Sequence, residues 1–176
     1  MARIALLALV AALAAAAALP ARSAAHCSAS GMSAKLPAQT LPRAVATMRQ
    51  RIVTLAVACD YTGLQRLGNQ GQKIAFSYGK ATSAAVYWKD LERRGGYPLA
   101  TLVRILRLPV TRNEAKWYAW PSAYTEHPTA RDWNLLVSAH VLTRKQADAE
   151  RAHGSYLGYR LAIRGNGDWQ FFIAGD

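Results

Sequence analysis

Carboxylates are scarce in this chain. Ten Asp and Glu stand against 22 Lys and Arg in 176 residues, a formal net charge of +12. Cysteine is limited to two residues, enough for one disulfide and no more. No Gly-x-Ser-x-Gly elbow is present, so nucleophilic catalysis of that kind finds no support. The four histidines, His26, His127, His140 and His153, have no paired spacing of the sort that marks a metal site. Beyond the first 25 residues no apolar run is long enough to cross a bilayer, and no internal repeat or low-complexity linker interrupts the chain.

What is present begins with an export signal. Arg3 supplies a positive n-region, Ile4 to Leu19 is an apolar run, Pro20 breaks it, and Ser23-Ala24-Ala25 offers small residues for cleavage before His26. The 16 apolar residues fall short of the about 20 that a membrane span needs. Residues 1–25 therefore read as a signal peptide, 26–41 as an irregular leader with two Pro-containing steps, and 42–176 as a single α+β domain. Removal of Arg3 and Arg22 leaves a net charge of +10. A secreted or periplasmic protein of this charge rarely meets nucleic acid but does meet anionic envelope polymers and lipid head groups. In an oxidising compartment Cys27 and Cys59 are expected to pair, tying the start of the mature chain to the end of its first helix.

Periodicity then lays out the elements. Pro42 suits a first helical turn, and Val45, Met48, Ile52, Leu55 and Cys59 draw one apolar stripe, predicting a helix over about 42–58 with Arg43, Arg49, Gln50 and Arg51 mainly off it. Asp60 caps a short helix ending at Gly68. Lys73 to Tyr78 alternates, with Ile74, Phe76 and Tyr78 on one face, and reads as a strand. Thr82 or Ser83 caps a helix over about 83–94, and Pro98 opens another whose stripe is Leu99, Leu102, Val103 and Leu106. Arg93, Arg94, Arg104, Arg107 and Arg112 make the densest basic region. Lys116 to Trp120 reads as a second strand ended by Pro121. Thr129 starts a helix with Trp133, Leu136, Val137 and His140 along one face, and Thr143 to Gln146 is a capping box opening a polar helix that ends at Gly154.

Two β-branched and aromatic runs, 156–163 and 169–174, flank a Gly-Asn-Gly turn. A two-residue Asn166-Gly167 loop would mix polar and apolar residues on both faces. A three-residue loop, Gly165 to Gly167, sets Arg164 opposite Asp168, Ile163 opposite Trp169, Leu161 opposite Phe171 and Tyr159 opposite Ile173. That register leaves one apolar face for helices and one mostly polar face carrying Arg160, Arg164, Asp168 and Gln170, with Gly167 at φ > 0.

With "CDYTGLQRL" leading to "IAFSYG", and "GYRLAIRGNGDWQFFIAGD" at the end, the chain resembles the NTF2-like (cystatin-like cone) superfamily, closest to small secreted members of unknown function. The matching pieces cover about 42–79 and 155–176. The two helices between the first and second strands depart from the family pattern. The resemblance implies a curved antiparallel sheet wrapped on a long helix and enclosing a pocket. It implies no particular reaction, because the superfamily holds isomerases, dehydratases, hydrolases and plain binding modules.

The aromatics could line such a pocket, although core packing is the usual fate of Trp. Asp60 and Asp132 read as helix-start residues, Asp168 as a turn residue, and Asp90 and Glu92 as surface helix residues, so no catalytic residue is assigned and a cone-fold isomerase- or hydrolase-like activity is the alternative reading. His140 ends an apolar stripe and is the one acid–base candidate, with a packing role as its ordinary explanation. A chain beginning at His26 would offer an amine and an imidazole to copper, with His127, His140 or His153 as a third ligand, but nothing in the spacing backs this and neither a metal nor another cofactor is assigned. The expectation is an exported, non-catalytic, pocketed binding module for a small apolar or acidic molecule, with Tyr78, Trp88, Trp120, His140 and Arg160 as binding residues. A basic adhesion protein that holds anionic envelope material is the further alternative.

Overall fold

The computed structural model describes residues 26–175. The signal peptide expected over 1–25 lies outside the described residues. Helix α1 (Arg43–Val57) is followed by α2 (Tyr61–Gly68), α3 (Ala84–Arg93) and α4 (Pro98–Arg107). Strands β1 (Thr111–Arg112) and β2 (Tyr118–Trp120) form a short hairpin. Helices α5 (Ala130–Ser138) and α6 (Arg144–His153) intervene before β3 (Arg160–Ile163) and β4 (Trp169–Ile173). The four strands make one open antiparallel sheet in the order β1-β2-β3-β4. The fold is α+β. No described helix is long and apolar enough to cross a membrane.

Local chemistry explains the helix boundaries. Asp60 accepts the Gly63 N–H at 2.7 Å, and Ser83 accepts that of Val86 at 3.3 Å. Thr129 with Asp132 and Thr143 with Gln146 form complete capping boxes, satisfying donors that a helix cannot satisfy itself. Gly154 closes α6 in the left-handed conformation.

The terminal hairpin has the expected three-residue loop. The Arg164 N–H donates to the Asp168 carbonyl at 2.9 Å, Ile163 pairs with Trp169, and Gly167 has φ +97°. The register then differs from expectation. A β-bulge at Gln170 sets Phe171 opposite Ala162 and Phe172 opposite Leu161. One extra residue flips the side chains beyond it, so Phe172, not Phe171, joins Leu161, Ile163 and Trp169 on the inner wall. The opposite face is not simply polar and wet, since Arg160 and Gln170 are buried.

The expected strand over 73–78 is reduced to a single parallel bridge. Ala75 N–H donates to the Gln170 carbonyl at 3.0 Å and its carbonyl accepts the Phe172 N–H at 2.9 Å. The segment meets β4 at the bulge, where the ladder is already disrupted, and pairing does not propagate. Ile74 and Phe76 are buried as the alternation predicts, but Tyr78 is 62% exposed.

The inner wall is covered by α1, through Val45, Met48, Ile52, Val53 and Ala56, and by α4, which packs on α1. Trp88 stacks on Trp169 at 6.1 Å, with Phe76 and Phe172 against it. A second, smaller cluster joins α5 and α6 through Leu108, Trp133, Leu136, Leu142, Ala147 and Tyr156. Residues 26–41 have no helix or strand but lie on the main core, with Ala29 fully buried and Cys27 bridged to Cys59. Closing a loop of 32 residues contributes about 3–4 kcal/mol in the chain-entropy model.

The spacing of Arg49 puts it off the α1 stripe, yet it is 4% exposed. Its guanidinium donates to the Leu106 carbonyl at 3.0 and 2.7 Å and to the Pro37 carbonyl at 3.1 Å. It thus answers the open carbonyls at the α4 C-terminus, where a cation is favoured, and anchors the leader. Burial lowers its pKa to about 10, which leaves it charged near neutral pH.

Two outcomes follow from these turns and caps. Gly167→Ala puts a Cβ 3.1 Å from the Ala44 carbonyl at φ +97°. Thermal unfolding should show a loss of about 1–2 kcal/mol. Burial pushes the Asp132 carboxyl up, but hydrogen bonds from Ser122 and Thr129, with Arg131 nearby, outweigh it and hold the pKa below its usual value. Its contribution is therefore complete above the ordinary carboxylate pKa of about 4 and lost as pH falls through the lowered folded-state value. Asp132→Ala should cost about 1 kcal/mol at pH 7 and progressively less in acid, read from melting temperatures across that range.

Candidate functional site

On the outer face of the sheet Ala119 and Ala162 pair across β2 and β3, and Phe171 is the cross-strand partner of Ala162. Rings gather beside it. Trp117, just ahead of β2, lies 6.4 Å from Phe171, and Tyr124, in the turn after β2, meets it edge-on at 6.0 Å. A guanidinium closes each end. Arg164 lies 5.0 Å from the Trp117 ring and Arg160 lies 5.3 Å from Tyr124. The result is a row, Arg164–Trp117–Phe171–Tyr124–Arg160, whose three rings are half-buried. Cations over ring faces are held by the ring quadrupole.

Arg160 is the fixed end of the row, 6% exposed. It donates to the Tyr78 hydroxyl at 2.8 Å and to the Gly175 and Gly158 carbonyls at 2.6 and 3.4 Å. Arg164 is half-exposed, donating weakly to Gln72 at 3.5 Å, and its Nε has no partner among the described residues.

Of the residues expected to bind, the structure brings two together, Tyr78 and Arg160. Trp88 and Trp120 are sealed in the core. The Trp120 indole donates to Gln39 at 3.2 Å, and the Trp88 indole N–H has no partner among the described residues. His140 is not on the α5 stripe. It lies past the helix end, exposed, with φ 53°, and offers its carbonyl to Arg104 at 3.0 Å. The chain turns out of the helix before reaching it, so the spacing that aligned it with Trp133 and Leu136 no longer holds. Arg164 is on the outer face as the hairpin pattern predicts, whereas Phe171, expected on the inner face, and Tyr124 join it there as a departure from that pattern. The available signal was the Phe171-Phe172 doublet, since neighbours in a strand point to opposite faces.

The surface clefts include four of about 590, 640, 300 and 550 Å³ around α1, the hairpin turn, α3 and the leader. None of the four is lined by Tyr78, Trp88, Trp120, His140 or Arg160.

Several carboxylates have structural work. Asp60 and Asp132 cap helices, Glu150 accepts the Leu157 N–H at 2.9 Å, and Asp168 accepts from Asn166 at 2.9 Å. Asp90 pairs with Arg93, the one Lys/Arg–carboxylate pair within 4 Å among the described residues. Glu92, whose place on α3 predicts a surface residue, is 2% exposed. No group of three or more His, Cys, Asp or Glu among the described residues is placed to hold a metal ion. Compared with known proteins, the chain matches no family model, no curated protein and no solved structure.

Replacing Arg160 with Met would keep its bulk and strip its donors from the Tyr78 hydroxyl and the Gly158 and Gly175 carbonyls. The expected loss is on the order of 2 kcal/mol, with faster proteolysis of the C-terminal residues. Unchanged denaturant midpoint and cleavage would show that Arg160 does not anchor this end.

Proposed function

We propose that this is an exported, non-catalytic protein that holds an anionic envelope polymer on its basic surface, with the cation–aromatic row on the outer sheet face as the point of contact. The observation that carries the reading is the state of the charges. Carboxylates are few, several serve caps and turns, and the one Lys/Arg–carboxylate pair within 4 Å among the described residues is that of Arg93, so most surface cations are not neutralised by a paired acid. Such a surface attracts polyanions over roughly a Debye length, about 8–10 Å near physiological salt. The row adds what charge alone lacks. Half-exposed rings present flat apolar faces, as sugar rings do, while the Arg164 guanidinium beside Trp117 suits a carboxylate or phosphate.

A small ligand in an enclosed pocket fits less well. The two indoles expected to line it, Trp88 and Trp120, are fully buried among other side chains. Export remains part of the proposal, supported by the Cys27–Cys59 disulfide and the composition of residues 1–25. So does the NTF2-like cone. A long helix laid on an antiparallel sheet agrees with it, and α3 and α4 ahead of the first sheet strand depart from it.

The test is binding of the chain from His26 onward to a polyuronate and to a neutral glucan. Affinity for the polyuronate should fall at least about tenfold between roughly 50 and 200 mM salt, and the glucan should not bind. Trp117→Ala with Arg164→Gln should weaken binding by about tenfold. Equal affinity for the neutral polymer, or none for either, would end this reading.

A further inference from the structure

The feature the binding surface leaves unused is Glu92. It stands in the last turn of α3, where its own helix dipole disfavours a negative charge, and its side chain is 1% exposed. Its Oε2 accepts the Ser28 N–H at 2.8 Å. Its Oε1 accepts the Ser28 hydroxyl at 2.6 Å and the Leu99 N–H at 3.3 Å. The Ser28 Oγ in turn accepts the Ala100 N–H at 2.9 Å. Leu99 and Ala100 are in the first turn of α4, whose N-cap residue, Tyr97, supplies no side-chain cap. Glu92 and Ser28 therefore cap α4 from two distant parts of the chain.

Hydrogen bonds satisfy this carboxylate, but they do not neutralise it. A buried charge is costly without a counter-ion, and no Lys or Arg nitrogen lies within 4 Å of Glu92 among the described residues. The nearest basic group is the His26 imidazole, with Nδ1 at 3.5 Å, which carries charge only when protonated. His26 itself sits between two clefts lined by Tyr61, Lys89, Asp90 and Arg93 on one side and by Tyr97 and Arg104 on the other. The negative charge is felt across the core. It adds to burial in raising Tyr61 to about 12, and, after burial and Tyr87, in raising Tyr159 to about 12.

We propose that Glu92 is the docking site for the α-ammonium created when the signal peptide is removed before His26, so that processing supplies the missing counter-ion and locks the 26–41 leader onto α3 and α4. The residue that would carry the new amine is two positions from Ser28, whose N–H is on Glu92, and one from Cys27, whose bridge to Cys59 holds it in place. An α-amino group is protonated at neutral pH, with an ordinary pKa of about 8. The inference rests on cleavage before His26 and not on what the protein binds.

The experiment compares two purified chains that contain every helix and strand of the fold. One begins at His26 with a free amine and the other carries a Gly-Ser extension ahead of it. Each is made with Glu92 and with Glu92→Gln. With Glu92 the free-amine chain should melt about 3 °C above the extended one. In the Glu92→Gln background the difference should shrink below about 1 °C, because a true pair is coupled. Equal midpoints with Glu92, or the same difference in both backgrounds, overturn the proposal. If Glu92→Gln does not fold, hydrogen exchange on the two Glu92 chains decides. The Ser28 and Leu99 amides should exchange about tenfold more slowly with the free amine, and equal rates overturn the proposal. The intact mass of the exported protein must also match a chain starting at His26. Any other start removes the reading that export creates this amine, whatever the melting data show.

Discussion

Trp120, Leu161, Ile163, Trp169 and Phe172 form one apolar wall on the sheet, and four short strands cannot take it out of water alone. Something long and apolar must lie across it, and α1 does so with Val45, Met48, Ile52 and Val53. The remaining main-core elements are fitted around that contact. Helix α4 backs α1, α3 brings Trp88 onto Trp169, and the 26–41 segment lies on the core, pinned by Arg49 and by the disulfide. The pinning is done by side chains reaching backbone carbonyls, because a segment without helix or strand has no ladder to satisfy its own polar groups.

The same wall decides where chemistry is possible. Packing the inner side with Trp and Phe leaves the rings of Phe171, Tyr124 and Trp117 to the outer side, where Arg160 and Arg164 frame them. The scarcity of carboxylates acts in parallel. Each Asp or Glu used as a cap or buried, as Asp60, Glu92 and Asp132 are, is one fewer to neutralise the surface. Structural economy inside and positive charge outside are thus two results of one composition.

Much of the architecture could be read ahead of the structure where the signal is local. Asp60, Ser83, Thr129 and Thr143 announce helix starts because a cap bonds a backbone N–H within three residues. The hairpin loop was legible because Gly-Asn-Gly permits the conformation that Gly167 adopts. The segment around Ala75 was misleading. Its alternation is genuine, but a strand also needs a partner edge, and the bulge at Gln170 offers one bridge only. The site was legible in part. Tyr78 and Arg160, 82 residues apart, do meet, whereas Trp88 and Trp120 are core and His140 lies beyond its helix.

The sequence by itself determined the helices, the turn that closes the hairpin, the single possible disulfide pairing and the excess of positive charge. All of these depend on composition or on residues a few positions apart. Only the tertiary structure decided that Arg49, Glu92 and Arg160 are buried and that Phe171 faces outward. Spacing tells which residues share a face, but burial depends on what arrives to cover it. For Arg49 that is the end of α4, 57 residues on, and for Glu92 it is Ser28, 64 residues back.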